Sequence, residues 1–332
     1  CNLISKFIRN NIYMKPKEIL VFGASGQIGR HLIRKFTKNN YKVFAVTRNI
    51  HKKGYILKTQ ANPGYLEIGE LKSFDIEKIK SFFKNCSVCI NLIGILYEKS
   101  ENQFHSIHSD FPDLLSKLCK RLDIEQFIHL SSLGIEDVCD SDYAKSKISG
   151  EHAVKKNFNK SIILKPSVCY SVDDNFTTTL MTLLNRLPFM PLYYQGKTKF
   201  TPIHVTDLAN IIFQIVEKKI TGETIECVGP EILTFKDIIL KLLHSLEKKR
   251  LLIPMPLPIA KIIAKILGKL PKPLITSDQL NLLKYDNILS GKYKTNLDLG
   301  IEANKKFDVE IESYSFNWKD GGGYSKKIGA KN

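Results

Sequence analysis

Along the first half of the chain, hydrophobic positions switch repeatedly between two periods. Lys17 to Gly23 reads as a short apolar strand, and Gln27 to Phe36 follows it with Ile28, Leu32, Ile33 and Phe36 at helical spacing. Tyr41 to Thr47, rich in Val and Phe, predicts a second strand. Gly64 to Ile68 predicts a third strand and Ile76 to Phe83 a helix. Further on, Val88 to Ile93, Gln126 to Leu130 and Ser161 to Leu164 predict strands, with Phe104 to Leu122 and Tyr143 to Lys156 as the helices between them. Strands separated by helices require right-handed parallel crossovers, so the pattern predicts an α/β fold with a doubly wound parallel sheet.

The sheet is expected to be of Rossmann type and to occupy residues 17–170. After Pro166 the rhythm loosens, with Pro188 and Pro191 as punctuation. Lys199 to Ile203 and Glu223 to Val228 read as strands, and Val205 to Lys218 and Phe235 to Leu246 as helices. These elements predict a smaller C-terminal α/β lobe over 171–318, interleaved with the first domain because 199–228 can return to the main sheet. Pro258 to Leu270 places Lys261, Lys265 and Lys269 four residues apart, with Ile259, Ile262, Ile263, Ile266 and Leu267 over the remaining arc. Such a helix suits an anionic membrane surface or a partner; packing of its apolar side into the lobe is the alternative. Residues 319–332 read as a flexible basic tail. Residues 1–16, which open on Cys1 and carry Lys6, Arg9 and Lys15 without an acid, read as a leader, disordered or targeting.

Composition narrows the class. With 332 residues, 43% hydrophobic and 25% charged, the chain is long enough for about two domains and lies within the range of folded globular proteins. The longest apolar run, Leu251 to Ala260, is broken by Pro254, Pro256 and Pro258 and is far short of the roughly 20 residues that cross a bilayer. A net charge of +17 favours anionic partners, but aromatics are not interleaved with basic clusters, so nucleic acid is not expected. The seven cysteines are irregularly spaced, as free thiols are. Cys86 and Cys89 form a CxxC with no second pair to complete a zinc site, and they read as strand cysteines. No metal is expected. His105 and His108 share a helix face without a third ligand, and His204 and Asp207 read as junction residues.

Chemistry begins at Gly23-Ala-Ser-Gly26-Gln-Ile-Gly29, between the first strand and the first helix. Gly23 permits the turn, Gly26 lets backbone approach a diphosphate, and Gly29 allows close helix packing; Ser25, Gln27 and Ile28 complete the turn. A dinucleotide is therefore the expected ligand. An acid at the end of the second strand would bond the ribose hydroxyls of NAD(H), but Thr47-Arg48 stands there, and Arg30 follows the third glycine. These arginines favour NADP(H), with NAD(H) as the alternative. Tyr143 and Lys147, four residues apart on one predicted helix, share a face.

The three glycines, Asn91-Leu-Ile-Gly94, Ser131-Ser132 and Tyr143-Ala-Lys-Ser-Lys147 together resemble the extended and atypical short-chain dehydrogenase/reductase superfamily, of the NAD-dependent epimerase/dehydratase kind. Lys165-Pro-Ser167, Pro202-Ile-His-Val-Thr-Asp207 and Val228-Gly-Pro-Glu231 narrow the likeness. From about Ile19 to Ile301 the chain resembles the nucleotide-binding accessory subunits of respiratory complex I and their bacterial relatives. The resemblance implies Glu70 beside the adenine amino group, Asn91 and Gly94 on the adenine-ribose side, and Pro166 and Ser167 bordering nicotinamide. In a reductase of this superfamily Tyr143 would move the proton. Lys147 would hold the nicotinamide ribose and lower the phenol pKa, and Ser132, with Ser131 as its neighbour, would hold the substrate oxygen. Two functions follow. In the first, the dinucleotide is a structural element of an accessory or assembly component of complex I. That component would lie on the matrix side of the mitochondrial inner membrane or the cytoplasmic side of a bacterial one. In the second, the chain is an NAD(P)-dependent reductase or epimerase/dehydratase acting on a nucleotide sugar or another carbonyl compound.

Overall fold

Residues 18–270, 273–319, 321 and 322 are described by a computed structural model. The expected leader at 1–16 and most of the expected tail at 319–332 lie outside the described residues. Strands and helices alternate in the order β1 (Glu18–Phe22), α1 (Gln27–Lys38), β2 (Lys42–Thr47), α2 (Ile50–Lys58), β3 (Leu66–Glu70), α3 (Ile76–Ser81), β4 (Cys86–Asn91), α4 (Phe111–Arg121), β5 (Gln126–Leu130), α5 (Asp142–Asn157) and β6 (Ile162–Pro166). After α6 (Thr177–Arg186) and α7 (Val205–Glu217), β7 (Thr224–Cys227) returns to the sheet. Then come α8 (Phe235–Ser245), α9 (Leu257–Leu267) and α10 (Ser277–Leu282), followed by β8 (Lys294–Thr295) at the sheet edge and α11 (Phe307–Ser315). The sheet runs β8-β7-β6-β5-β4-β1-β2-β3, with every neighbouring pair parallel. This is the doubly wound parallel sheet that the sequence predicts, and its order reverses beside β1.

Both faces of the sheet are covered, which is why its strands are continuous apolar runs. In β1, Ile19 and Val21 point to one face and Leu20 and Phe22 to the other. The first pair packs with Leu32, Ile33 and Phe36 of α1 and with Ile211, Ile212 and Ile215 of α7. The second pair packs with Phe111 and Leu115 of α4 and Val154 of α5. Each such side chain contributes about 1.5–3 kcal/mol by burial. A separate core holds the smaller lobe together, joining Met181 and Leu184 of α6, Ile238 and Leu242 of α8, and Phe307 and Ile311 of α11.

Several local expectations need correction. Helix α2 has no counterpart in the sequence reading, because only Gly54 and Leu57 are buried and its apolar pattern is thin. It begins where the Asn49 side chain accepts from the Lys52 amide at 2.8 Å. The third strand is displaced toward the C-terminus, so that Glu70 ends it. The expected strand at 199–203 splits into Lys199–Phe200 and Ile203–His204, since Pro202 between them has no N–H to donate. Neither piece joins the main sheet. The expected helix from Phe104 passes through a π turn, Ser106–Asp110, before α4 begins. In α9 only Ala260 and Ala264 are buried, whereas Ile259, Ile262 and Ile266 face outward with Lys261 and Lys265. Of that arc, Ile263 and Leu267 are half-buried while the other three are exposed, so the helix packs through Ala260 and Ala264 and only part of its apolar side enters the lobe. Lys269 falls beyond the end of α9.

Past α10, the chain crosses the carboxyl ends of β5 and β6 through Asn287. Its Oδ1 accepts from Ser167 Oγ at 2.6 Å and from the Val168 amide at 3.1 Å, and its Nδ2 donates to the Leu133 carbonyl at 2.6 Å. Asn287→Ala strands all three groups. The expected loss is about 2–3 kcal/mol of unfolding free energy in a urea titration, with an unchanged midpoint as the contrary result.

Candidate functional site

The turn from β1 into α1 sets the site. Gly23 has φ +77°, and a Cβ there would lie 3.0 Å from the Leu92 carbonyl carbon beyond β4; a Cβ on Gly29 would lie 2.5 Å from the Ala24 carbonyl oxygen. Only glycine lets α1 start this close to the strand ends. Gly26 caps the helix without a side-chain bond, and the first turn carries no acid. The amides of Gln27, Ile28 and Gly29 therefore open the helix with no partner inside it, at its electropositive end. Ser25 Oγ accepts from Thr47 Oγ1 at 3.1 Å and ties the turn to the end of β2.

The two arginines behave differently. Arg48 is exposed just past β2 and makes no hydrogen bond or ion pair among the described residues. Arg30 donates to the Gly26 carbonyl at 3.2 Å and forms an ion pair with Asp173. Gln27 Nε2 donates to Ser171 Oγ at 2.9 Å, and Ser171 Oγ donates to Asp173 Oδ1 at 2.8 Å. The segment after β6 is thus strapped across the start of α1. Glu70 accepts the Ile50 amide at 3.0 Å, which, with Lys72 at 3.4 Å, holds its carboxyl below the usual carboxylate range. Its charge serves the N-terminus of α2.

Lys147, Tyr143 and Ser132 come together at the carboxyl end of β5. Lys147 is buried and donates to the Leu130 carbonyl at 3.0 Å. Burial lowers its pKa to about 8. Tyr143 Oη meets Ser132, but burial pushes the phenol up to about 12. This corrects the expectation that the lysine would bring the phenol down: Lys147 Nζ stands 6.0 Å from the ring centroid and is engaged with backbone. The ring is only 9% exposed, packed in one cluster with Phe104 and Ile135 and with Leu282 and Tyr285 of the crossing C-terminal segment. Gly94 lies on the lysine side of the cleft, where a Cβ would sit 3.4 Å from Lys147 Nζ and 3.7 Å from His108 Nε2. Asn91 is fully buried, and its Oδ1 accepts the Ile93 amide at 3.1 Å to shape that turn. Pro166 ends β6, and Ser167 Oγ is bonded to Asn287.

His108 is a neighbour that the sequence weighed only as a metal ligand. Its Nε2 accepts the Ile95 amide at 3.1 Å, so the remaining proton lies on Nδ1, which donates to Ser146 Oγ at 2.9 Å. Burial, Lys147 and His129 push its pKa to about 2, so it stays neutral. Ser171, Asp173 and Asn287 were also missed, since their contacts span more than a hundred positions. Cys86 and Cys89 both lie on β4. His204 caps α7 through Thr206, and Asp207 accepts the Lys305 amide at 3.0 Å. Among the described residues, no three His, Cys, Asp or Glu side chains gather for a metal.

The model of the NAD dependent epimerase/dehydratase family matches residues 19–227, which include the whole glycine turn and Ser132, Tyr143 and Lys147, but not Leu282, Tyr285 and Asn287 of the crossing segment. The chain belongs to that family. A curated relative, the mitochondrial NADH-ubiquinone oxidoreductase 40 kDa subunit of Neurospora crassa, is 26% identical over 90% of this chain and 77% of its own. A ceramide reductase of Caulobacter vibrioides is 25% identical over 72% of this chain and 74% of its own. Among solved structures, a dTDP-glucose 4,6-dehydratase of Bacillus anthracis in complex with NAD superposes with a TM-score of 0.67 at 15% identity, covering 91% of this chain and 96% of that one. Membership of an NAD-dependent family assigns a nicotinamide dinucleotide to this cleft. The residues present fit such a group: an open helix N-terminus without an acid, a glycine cradle that a Cβ would fill, and a buried ammonium beside Gly94.

The strap gives a test. Asp173→Ala releases Arg30 and should raise the dissociation rate of bound dinucleotide several-fold, while stability changes by about 1 kcal/mol or less because the pair is partly exposed. Stopped-flow displacement measures the rate, and an unchanged rate would refute a role for the strap in retention.

Proposed function

We propose that this chain holds a dinucleotide, NADP(H) in preference to NAD(H), as a structural element of an accessory or assembly subunit of respiratory complex I. Gly23, Ser25, Gly26, Gln27, Ile28 and Gly29 receive the diphosphate, since unpaired amides at a helix start form an anion site. Arg48, exposed just past the end of β2, would take a 2′-phosphate. Lys147 grips the nicotinamide ribose, with Pro166 and Ser167 bordering the ring. Asn91 and Gly94 shape the wall and Glu70 supports the adenine end. The named relative that assembles into a mitochondrial NADH-ubiquinone oxidoreductase supports the same assignment here, at the matrix side of the inner membrane. No helix among the described residues is long and apolar enough to cross a membrane. Contact with an anionic bilayer is proposed through α9 and its flanks, at 258–270, where Ile259, Ile262 and Ile266 are exposed beside Lys261 and Lys265.

The observation that carries the structural role is the state of Tyr143. A bound nicotinamide supplies a hydride donor or acceptor, but a proton donor must also reach a substrate oxygen. The phenol lies under Phe104, Leu282 and Tyr285, and burial pushes its pKa up to about 12. A second reading, a reductase or epimerase/dehydratase, is favoured by one feature: Ser132, Tyr143 and Lys147 do converge.

Three measurements test these readings. Chain purified from its source should carry NADP(H) and co-purify with complex I subunits. In titrations, Arg48→Ser should cost NADPH about tenfold in affinity and leave NADH unchanged. NADH binding more tightly than NADPH in the wild type refutes the preference. Substrate-dependent oxidation of the bound cofactor, abolished by Tyr143→Phe, refutes the structural role.

A further inference from the structure

Beneath the cleft lies a charge cluster that neither reading uses. Lys165, near the carboxyl end of β6, is fully buried. Its Nζ lies 2.8 Å from Glu151 Oε1, pairs also with Glu136 and stands 5.2 Å from the Tyr293 ring centroid. Glu151, on α5 one turn beyond Lys147, also accepts the Ser131 hydroxyl at the end of β5. One carboxylate is therefore shared among β5, β6 and α5. Lys147 is within reach of the same carboxylate at i,i+4, yet its ammonium is bonded to the Leu130 carbonyl and faces Gly94.

We propose that Lys165 is a positioning residue for the dinucleotide: by engaging Glu151 and Glu136 it keeps Lys147 from collapsing onto Glu151 and leaves that ammonium directed into the cleft. The physical reason is competition for one buried anion. Removing either charge from such a cluster leaves the other uncompensated, so the remaining groups rearrange to pair it. The groups facing Lys147 are Glu151 and Tyr143 on its own helix, His108 on the π turn and His129 on β5. Burial holds His108 and His129 neutral, at about 2 and about 3, and Tyr143 at about 12. Of these groups, Lys147 is the one that changes charge near pH 8, and Glu151 is the one that raises its pKa.

The inference rests on Lys147 gripping the nicotinamide ribose. Its sign is specific. Affinity depends on the protonated amine, so it is constant at lower pH and falls as pH rises through about 8, by up to about tenfold per unit. In Lys165→Met, Lys147 turns to the freed Glu151: affinity at pH 7 drops several-fold and the midpoint moves up by about one unit. In Glu151→Gln the supporting charge is lost and the midpoint moves down by about one unit. Lys165→Arg restores the wild-type profile.

The experiment is fluorescence titration of NADPH onto the full chain between about pH 6.5 and about pH 9.5 for the wild type and these three variants. Opposite displacements of the midpoint establish the role. A purely structural cluster would lower thermal stability and leave the profiles superimposed, and that result overturns the proposal. If Lys165→Met does not fold, an unmoved midpoint in Glu151→Gln overturns it alone. A wild type that binds neither NADPH nor NADH overturns the assignment of the cleft itself, an outcome distinct from bound nucleotide with superimposed profiles.

Discussion

The whole arrangement depends on one close approach, that of the start of α1 to the carboxyl ends of β1 and β4. Ala24 and Leu92 leave no room for side chains at Gly29 and Gly23, so the helix begins at the sheet edge with its first amides open. Everything ligand-related follows from that placement. Because β4 lies on one side of β1 and β2 on the other, Arg48, just past β2, and Lys147, bonded at the end of β5, fall on opposite sides of the glycine turn. Had α1 been set back by one turn, the helix dipole would have been spent on solvent.

The cleft brings Ser132, Tyr143 and Lys147 together beneath a C-terminal cover. A proton-transferring phenol needs a pKa near the working pH and an open path to a substrate oxygen. Here the residues are present, but the C-terminal segment supplies Leu282 and Tyr285 to cover Tyr143, and Asn287 bonds across Leu133, Ser167 and Val168. The same buried surroundings that raise the phenol pKa lower that of Lys147 and keep His108 and His129 neutral. The buried Lys165 ammonium is tolerated in this setting because it pairs with Glu151 and with the partly exposed Glu136.

Most of the sheet was legible as apolar runs, because strands buried on both faces need no alternation, and β1, β2, β4, β5 and β6 lie close to where the pattern puts them. The glycine turn was legible for a related reason: strand, turn and helix each constrain residue types locally. Helix α2 was not, since its burial rests on Gly54 and Leu57 alone. The outward isoleucines of α9 were left open by the sequence, because periodicity reports that a helix has two faces without saying which one packs.

Sequence alone determined the strand–helix alternation, the anion-binding turn and the residue types at the cleft, all properties set within a few positions of one another. Only the tertiary structure decided what those residues do. The pairing of Arg30 with Asp173 and the covering of Tyr143 join positions more than a hundred residues apart, and the neutral tautomer of His108 and the sharing of Glu151 join separate elements. Burial and charge, which set a pKa or a free arginine, belong to that assembled neighbourhood and have no local signature.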